Sequence, residues 1–148
     1  MNDVLERLRA NYSRFALPLL SQLLELLVAT RTASDGDVES FVIVLTVALR
    51  MVDQASFRAL SYDQIAGGGG DTPLSAGTNL RSIAESTGIP RETVRRKVEA
   101  LDAAGFLVRR DNLVFCAPEA FAAFTPVREE MLKFVVKGHR VVESLPER

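Results

Sequence analysis

The sequence predicts a mainly α fold with one small β-hairpin. Three observations lead there. Apolar residues recur at threes and fours over residues 3–31, the period of a helix with a buried face, and residues 37–59 and 126–144 also read as helices. Two shorter helical patterns meet at Gly88-Ile89-Pro90, a tight turn. Directly after them, two β-rich runs flank Asp111-Asn112, the pattern of a hairpin.

In residues 3–31 the repeating face is Leu5, Leu8, Tyr12, Phe15, Leu19, Leu23 and Leu26. Pro18 is expected to kink or divide this helix, because it lacks an N–H and crowds the preceding turn. From Ala16 to Ala29 only Ser21, Gln22 and Glu25 interrupt the apolar surface, so most of the circumference needs cover. The expected cover is a second subunit. TASDGD (32–37) reads as a turn in which Ser34 or Asp35 caps the next helix. Residues 37–59 read as that helix. The β-branched run 42–47 would suit a strand, yet Glu39, Thr46, Arg50 and Asp53 share a helical face.

SYDQIAGGGGDTPLSAG (61–77) reads as a flexible glycine-rich linker. A phosphate loop would need G-K-[S/T] after the glycines, and Asp71-Thr72-Pro73 stands there instead. The expected organisation is therefore a helical region at 1–60, a linker at 61–77, a compact unit at 78–116 and C-terminal helices at 117–148.

Residues 78–116 carry the chemistry. Thr78-Asn79 offers a cap, Leu80, Ile83 and Ala84 an apolar face, and Gly88 a helix end. Ile89 is expected to bury in the turn. Pro90 opens the second helix, where its missing N–H costs nothing. Val94, Val98 and Leu101 then repeat at i, i+4 and i+7, and Gly105 ends the helix. With that ladder inward, Arg91, Glu92, Arg95, Arg96 and Glu99 face out. Arg109 and Arg110 sit at the tip of the hairpin that follows. This order of elements predicts a winged helix-turn-helix flanked by N- and C-terminal helices.

The charge distribution agrees. The chain has a formal net charge of −1, but residues 1–78 carry −3, residues 79–111 carry +2 and residues 112–148 carry none. A polyanion is drawn to the middle third. Arginine can read guanine through O6 and N7, and a helix can enter a major groove with its first turns at the base edges.

LRSIAESTGIPRETVRRKVEALDAAGFLVRR resembles the winged helix-turn-helix of bacterial transcription regulators of the GntR, DeoR and MarR types. The shared pattern falls on Ala84, Gly88-Ile89, Arg91, Thr93-Val94-Arg95, Val98, Leu101, Gly105 and Phe106-Leu107. The resemblance spans about residues 78–116. It implies that Arg81 contacts phosphate, that Arg91 and Arg95 read bases, and that Thr93 touches the DNA backbone. Glu92 either accepts from a cytosine amine or complements the helix dipole, the second being the expectation. Arg96 and Lys97 are either DNA contacts or solvated charges. Pro90 stands where such regulators carry Ser or Thr, so a side-chain cap is lost. The hairpin is short and lacks glycine, which argues against deep insertion into a minor groove.

In the C-terminal helix Thr125-Pro126 reads as cap and first turn. Val127, Met131, Phe134, Val135, Val141 and Val142 are its apolar residues, and Glu129–Lys133 is its attractive i, i+4 pair. Residues 3–31 and 126–144 are expected to form a homodimer interface, so that two reading helices meet two half-sites.

Composition narrows the alternatives. One cysteine, Cys116, cannot form an intrachain disulfide, and one histidine, His139, cannot build a zinc site alone. There is no nucleophile–base pair and no cofactor fingerprint, so neither an enzyme nor a cofactor is expected. Neither apolar run, 16–29 or 41–49, reaches the ~20 residues of a membrane span, and MNDVLERLR, which mixes acids and bases, is not expected to act as a signal peptide. The expected protein is a cytoplasmic, homodimeric regulator that binds double-stranded DNA, with room for a small-molecule effector. The alternative is a winged-helix protein-interaction adaptor.

Overall fold

The computed structural model describes residues 2–68 and 76–146. Among them the chain is mainly helical, with one two-stranded antiparallel sheet. It divides into two compact units, Met1–Ala33 with Pro126–Arg148, and Ser34–Thr125.

The first unit holds α1 (Asn2–Ala10), α2 (Tyr12–Ala33) and most of α9 (Thr125–Ser144). The break expected at Pro18 lies at Asn11 instead. The Asn11 side chain donates to the Arg7 carbonyl (2.9 Å), and its own carbonyl accepts from Arg14 N–H three residues on (3.0 Å). That local competition ends α1, whereas α2 runs through Pro18 unbroken. Phe15, Val141 and Leu145 form a small core, with Leu8 and Leu19 packed against it.

At 22 residues, α2 is long and apolar enough to cross a membrane by length and composition, which corrects the expectation drawn from its apolar run alone. It nevertheless buries a polar group midway. Gln22 donates to Glu130 (2.8 Å) and Glu25 (3.1 Å) and accepts from Lys137 (3.3 Å). Such charged partners are costly in hydrocarbon and suit a helix packed on a helix. Lys133 pairs with Glu130 (2.7 Å), and Glu129, at the i, i+4 spacing, also attracts its ammonium.

The second unit is built on α3 (Val38–Val52). Its cap is Asp37, whose carboxylate accepts from Ser40 N–H (3.1 Å) and the Ser40 hydroxyl (2.7 Å). Ser34 and Asp35 do not fill that role, because Asp35 and Gly36 both take positive φ, 49° and 84°, to turn the chain. The helix expected over 37–59 stops at Val52. Gln54 is extended (ψ 143°), and a separate turn of helix, α4 (Ala55–Arg58), follows.

The expected linker is not structureless throughout. α5 (Tyr62–Ala66) forms within it behind a reciprocal cap, in which Ser61 and Gln64 satisfy each other's backbone N–H groups. Residues 69–75 lie outside the described residues. Beyond them Gly77 touches the Phe115 ring so closely that a Cβ there would stand 2.8 Å from two ring carbons. Thr78 exchanges both backbone hydrogen bonds with Val114 (3.0 and 2.7 Å).

α6 (Leu80–Thr87) and α7 (Arg91–Ala103) come next, then β1 (Leu107–Arg110), β2 (Leu113–Cys116) and α8 (Pro118–Ala123). The strands pair in register from Leu107↔Cys116 to Arg110↔Leu113, and Asp111 takes the positive φ (52°) that the two-residue turn requires. One core joins all these elements. Ile43, Val44 and Val47 of α3 meet Ile83 of α6, Val94 and Val98 of α7, and Leu107, Val114 and Cys116 of the sheet. Each such buried aliphatic side chain contributes about 1.5–3 kcal/mol relative to exposure.

Candidate nucleic-acid interface

The local sequence sets how α7 is presented. Asn79 caps α6 by accepting from Ser82 N–H (2.9 Å). Gly88 ends α6 in the left-handed region (φ 72°), its N–H reaching the Ala84 carbonyl (2.9 Å). The Thr87 hydroxyl donates to the Ile83 carbonyl (2.8 Å) and accepts from Ile89 N–H (3.2 Å), which fixes the turn. Pro90 precedes α7 in an extended conformation with no side-chain cap. Val94 and Val98 are fully buried and Leu101 packs beside them, so the aliphatic ladder faces the core.

The geometry of the helix then leaves Arg91, Glu92, Arg95, Arg96 and Glu99 exposed, while Thr93 is half-buried. Lys97 departs from the rest of the cationic run. Its side chain is only 15% exposed, and its ammonium lies 2.6 Å from Asp37 and 3.4 Å from Glu39.

The arginines fall into two groups. Arg95 is held by carboxylates on both sides, by Glu92 through its Nε and Nη2 and by Glu99 at 2.8 Å. Hydrogen bonding from Arg95 depresses the Glu92 carboxyl below its ordinary range. Arg81 is paired with Glu85 (2.7 Å), and that hydrogen bond raises its guanidinium further above the usual value. Arg109 lies 3.7 Å from Glu99, and its backbone N–H donates to Asp102 (3.3 Å). By contrast, Arg91, Arg96 and Arg110 make no ion pair or side-chain hydrogen bond within the described residues. The pairs that engage Arg81 and Arg95 are exposed, and exposed pairs exchange readily for another anion.

Arg81, Arg91 and Arg109 come together. They line one cleft of about 400 Å³, with Asn79 and Asn112 at its wall and Asp111 as its one carboxylate. One cation comes from the start of α6, one from the start of α7 and one from the hairpin. Sequence spacing missed the convergence, since Arg81 and Arg109 stand 28 positions apart. The two asparagines were legible only as a cap and a turn residue. Arg95, Arg96 and Arg110 lie outside the lining of this cleft.

Cys116 is buried at the base of the sheet, and burial pushes its thiol up to about 12. His139 lies on α9, 3.2 Å from Glu143. Among the described residues no group of three or more His, Cys, Asp or Glu side chains could hold a metal ion. No protein-family model, no curated protein sequence and no solved structure matches this chain.

Proposed function

We propose that the protein is a sequence-specific double-stranded DNA-binding transcriptional regulator. In this reading Ser34–Thr125 contains a winged helix-turn-helix like those of the GntR, DeoR and MarR regulators, and α7 enters the major groove. The observation that carries it is the convergence of Arg81, Arg91 and Arg109 on one cleft, flanked by two asparagine amides. Phosphate oxygens are the natural partners of clustered guanidinium groups. Arg91, with no carboxylate to release, becomes the leading base or phosphate contact, followed by Arg96 and Arg110. Arg95 reads bases only after exchanging Glu92 and Glu99 for the duplex. Thr93 touches the backbone at the edge of the helix, and Glu92 serves as a partner of Arg95.

The regulator acts as a homodimer through residues 3–31 and 126–144, in the cytoplasm, without a membrane. Support comes from Leu17, Leu20, Leu24 and Leu27 on one face of α2, all more than half exposed, and from Val135 and Val136 on α9. An apolar surface of this extent marks an interface more often than a solvated monomer face.

A second reading is favoured by the acidic residues. Glu85, Glu92 and Glu99 each pair with an arginine of the same surface, which suits an adaptor that docks on protein. Fluorescence anisotropy on a labelled random duplex separates the two. The regulator binds at low salt and loses affinity steeply as salt rises, because it releases counterions. An adaptor leaves the anisotropy unchanged at every salt concentration.

A further inference from the structure

A second cleft in Ser34–Thr125, of about 880 Å³, lies at the C-terminal end of α3, beside α4 and α5. Its volume falls within the range of small-molecule sites. The floor is apolar, with Phe57 buried and Ile65 packed against the core. Leu49 and Val52 at the rim are 58% and 40% exposed, so apolar surface is left wet there.

The polar groups of the lining are nearly all engaged. The Thr46 hydroxyl donates to the Val42 carbonyl (2.8 Å). The closing carbonyls of α3 accept from Asp53 N–H, Gln54 N–H and the Gln54 amide. Arg58 is paired with Asp53 at 2.7 Å. That leaves the Ser86 hydroxyl at the wall and Arg50, which makes no ion pair among the described residues, and gives the lining two arginines against one aspartate. A single negative charge neutralises it, and an apolar body covers Leu49 and Val52.

We infer that this cleft binds a small apolar monocarboxylate, with the carboxylate on Arg50 and the hydrocarbon over Phe57, Leu49 and Val52. The guanidinium fork matches a carboxylate in geometry as well as charge. The inference does not depend on DNA binding, and it is tested without DNA.

Calorimetric titration of the full chain with octanoate, octanamide and octylammonium tests it. Octanoate saturates at one per chain and binds about tenfold tighter than octanamide, the worth of one charge-assisted contact. Octylammonium binds weakest. Arg50→Gln brings octanoate down to the level of octanamide and leaves octanamide unchanged, which also shows that the variant is folded. Leu24→Ser, on the exposed face of α2, leaves octanoate binding intact. Equal affinity for acid and amide in the unaltered chain, absence of binding, or loss of binding in Leu24→Ser overturns the assignment.

Discussion

Lys97 of α7 closes onto Asp37, the cap of α3, with its ammonium 2.6 and 2.7 Å from the two carboxylate oxygens. One aspartate thus terminates one helix and clamps another, 60 positions away in sequence. Burial raises the Asp37 carboxyl, but hydrogen bonds from Lys97 and Ser40 outweigh it and bring it down to about 2.

This double duty can be dissected. Asp37→Asn keeps a capping oxygen and loses the charge, whereas Asp37→Ala loses both. The alanine variant costs about 1 kcal/mol more than the asparagine one, the worth of a cap. The carboxylate is nearly half exposed, so the ion pair adds little beyond that. Because the folded carboxyl titrates below the unfolded one, its stabilisation is complete above pH 4 and lost as pH falls through about 2. Urea midpoints of the wild type and Asp37→Asn should therefore converge over that window. A gap that stays constant down to pH 2 excludes the pairing.

Two glycines predict opposite outcomes. Gly77→Ala forces a methyl against the Phe115 ring at 2.8 Å and destabilises by about 1–3 kcal/mol, as overpacking does. Gly138 lies inside α9 with nothing near its would-be Cβ. Gly138→Ala therefore stabilises by about 0.5–1 kcal/mol through helix propensity. Thermal melts of both variants check the pair of signs.

Cys116 should be chemically silent. Its thiol is buried and held near 12, so almost no thiolate exists at neutral pH. A thiol-reactive dye at pH 8 labels the protein only after denaturant is added. Rapid labelling of the native chain would mean that the sheet opens far more often than its packing implies.

The proposed dimer rests on the exposed leucines of α2. Leu24, 62% exposed, lies in the middle of that face. Leu24→Glu introduces a charge into the interface and should convert a dimer into a monomer in sedimentation velocity at micromolar concentration. A wild type that is already monomeric there removes the dimer from the account.

Much of this arrangement was written locally. The Val94–Val98–Leu101 ladder follows helical periodicity, and Gly88 and Gly105 stand where positive φ is needed (72° and 81°). Asp111-Asn112 is a turn by composition alone, and the strands close around it. Other features needed tertiary context. Asp37 caps α3 only because Asp35-Gly36 makes the turn before it, and Asn11 rather than Pro18 interrupts the first helices because its amide reaches Arg7. The clamp of Lys97 on Asp37 links distant residues and leaves no mark in either neighbourhood. The tethering of Arg95 overturns the reading of Glu92 as a partner of the helix dipole alone: Glu92 and Glu99 stand at i−3 and i+4, the distances at which helical charges meet.

The most direct measurement is selection of bound fragments from a random duplex library, repeated with Arg91→Ala. The account predicts enrichment of a two-fold symmetric sequence with half-sites about one duplex turn, roughly 34 Å, apart. It predicts that Arg91→Ala weakens binding to that sequence roughly tenfold or more, the scale of a lost arginine contact. No enrichment over the starting library, with the unaltered chain folded and at low salt, contradicts it.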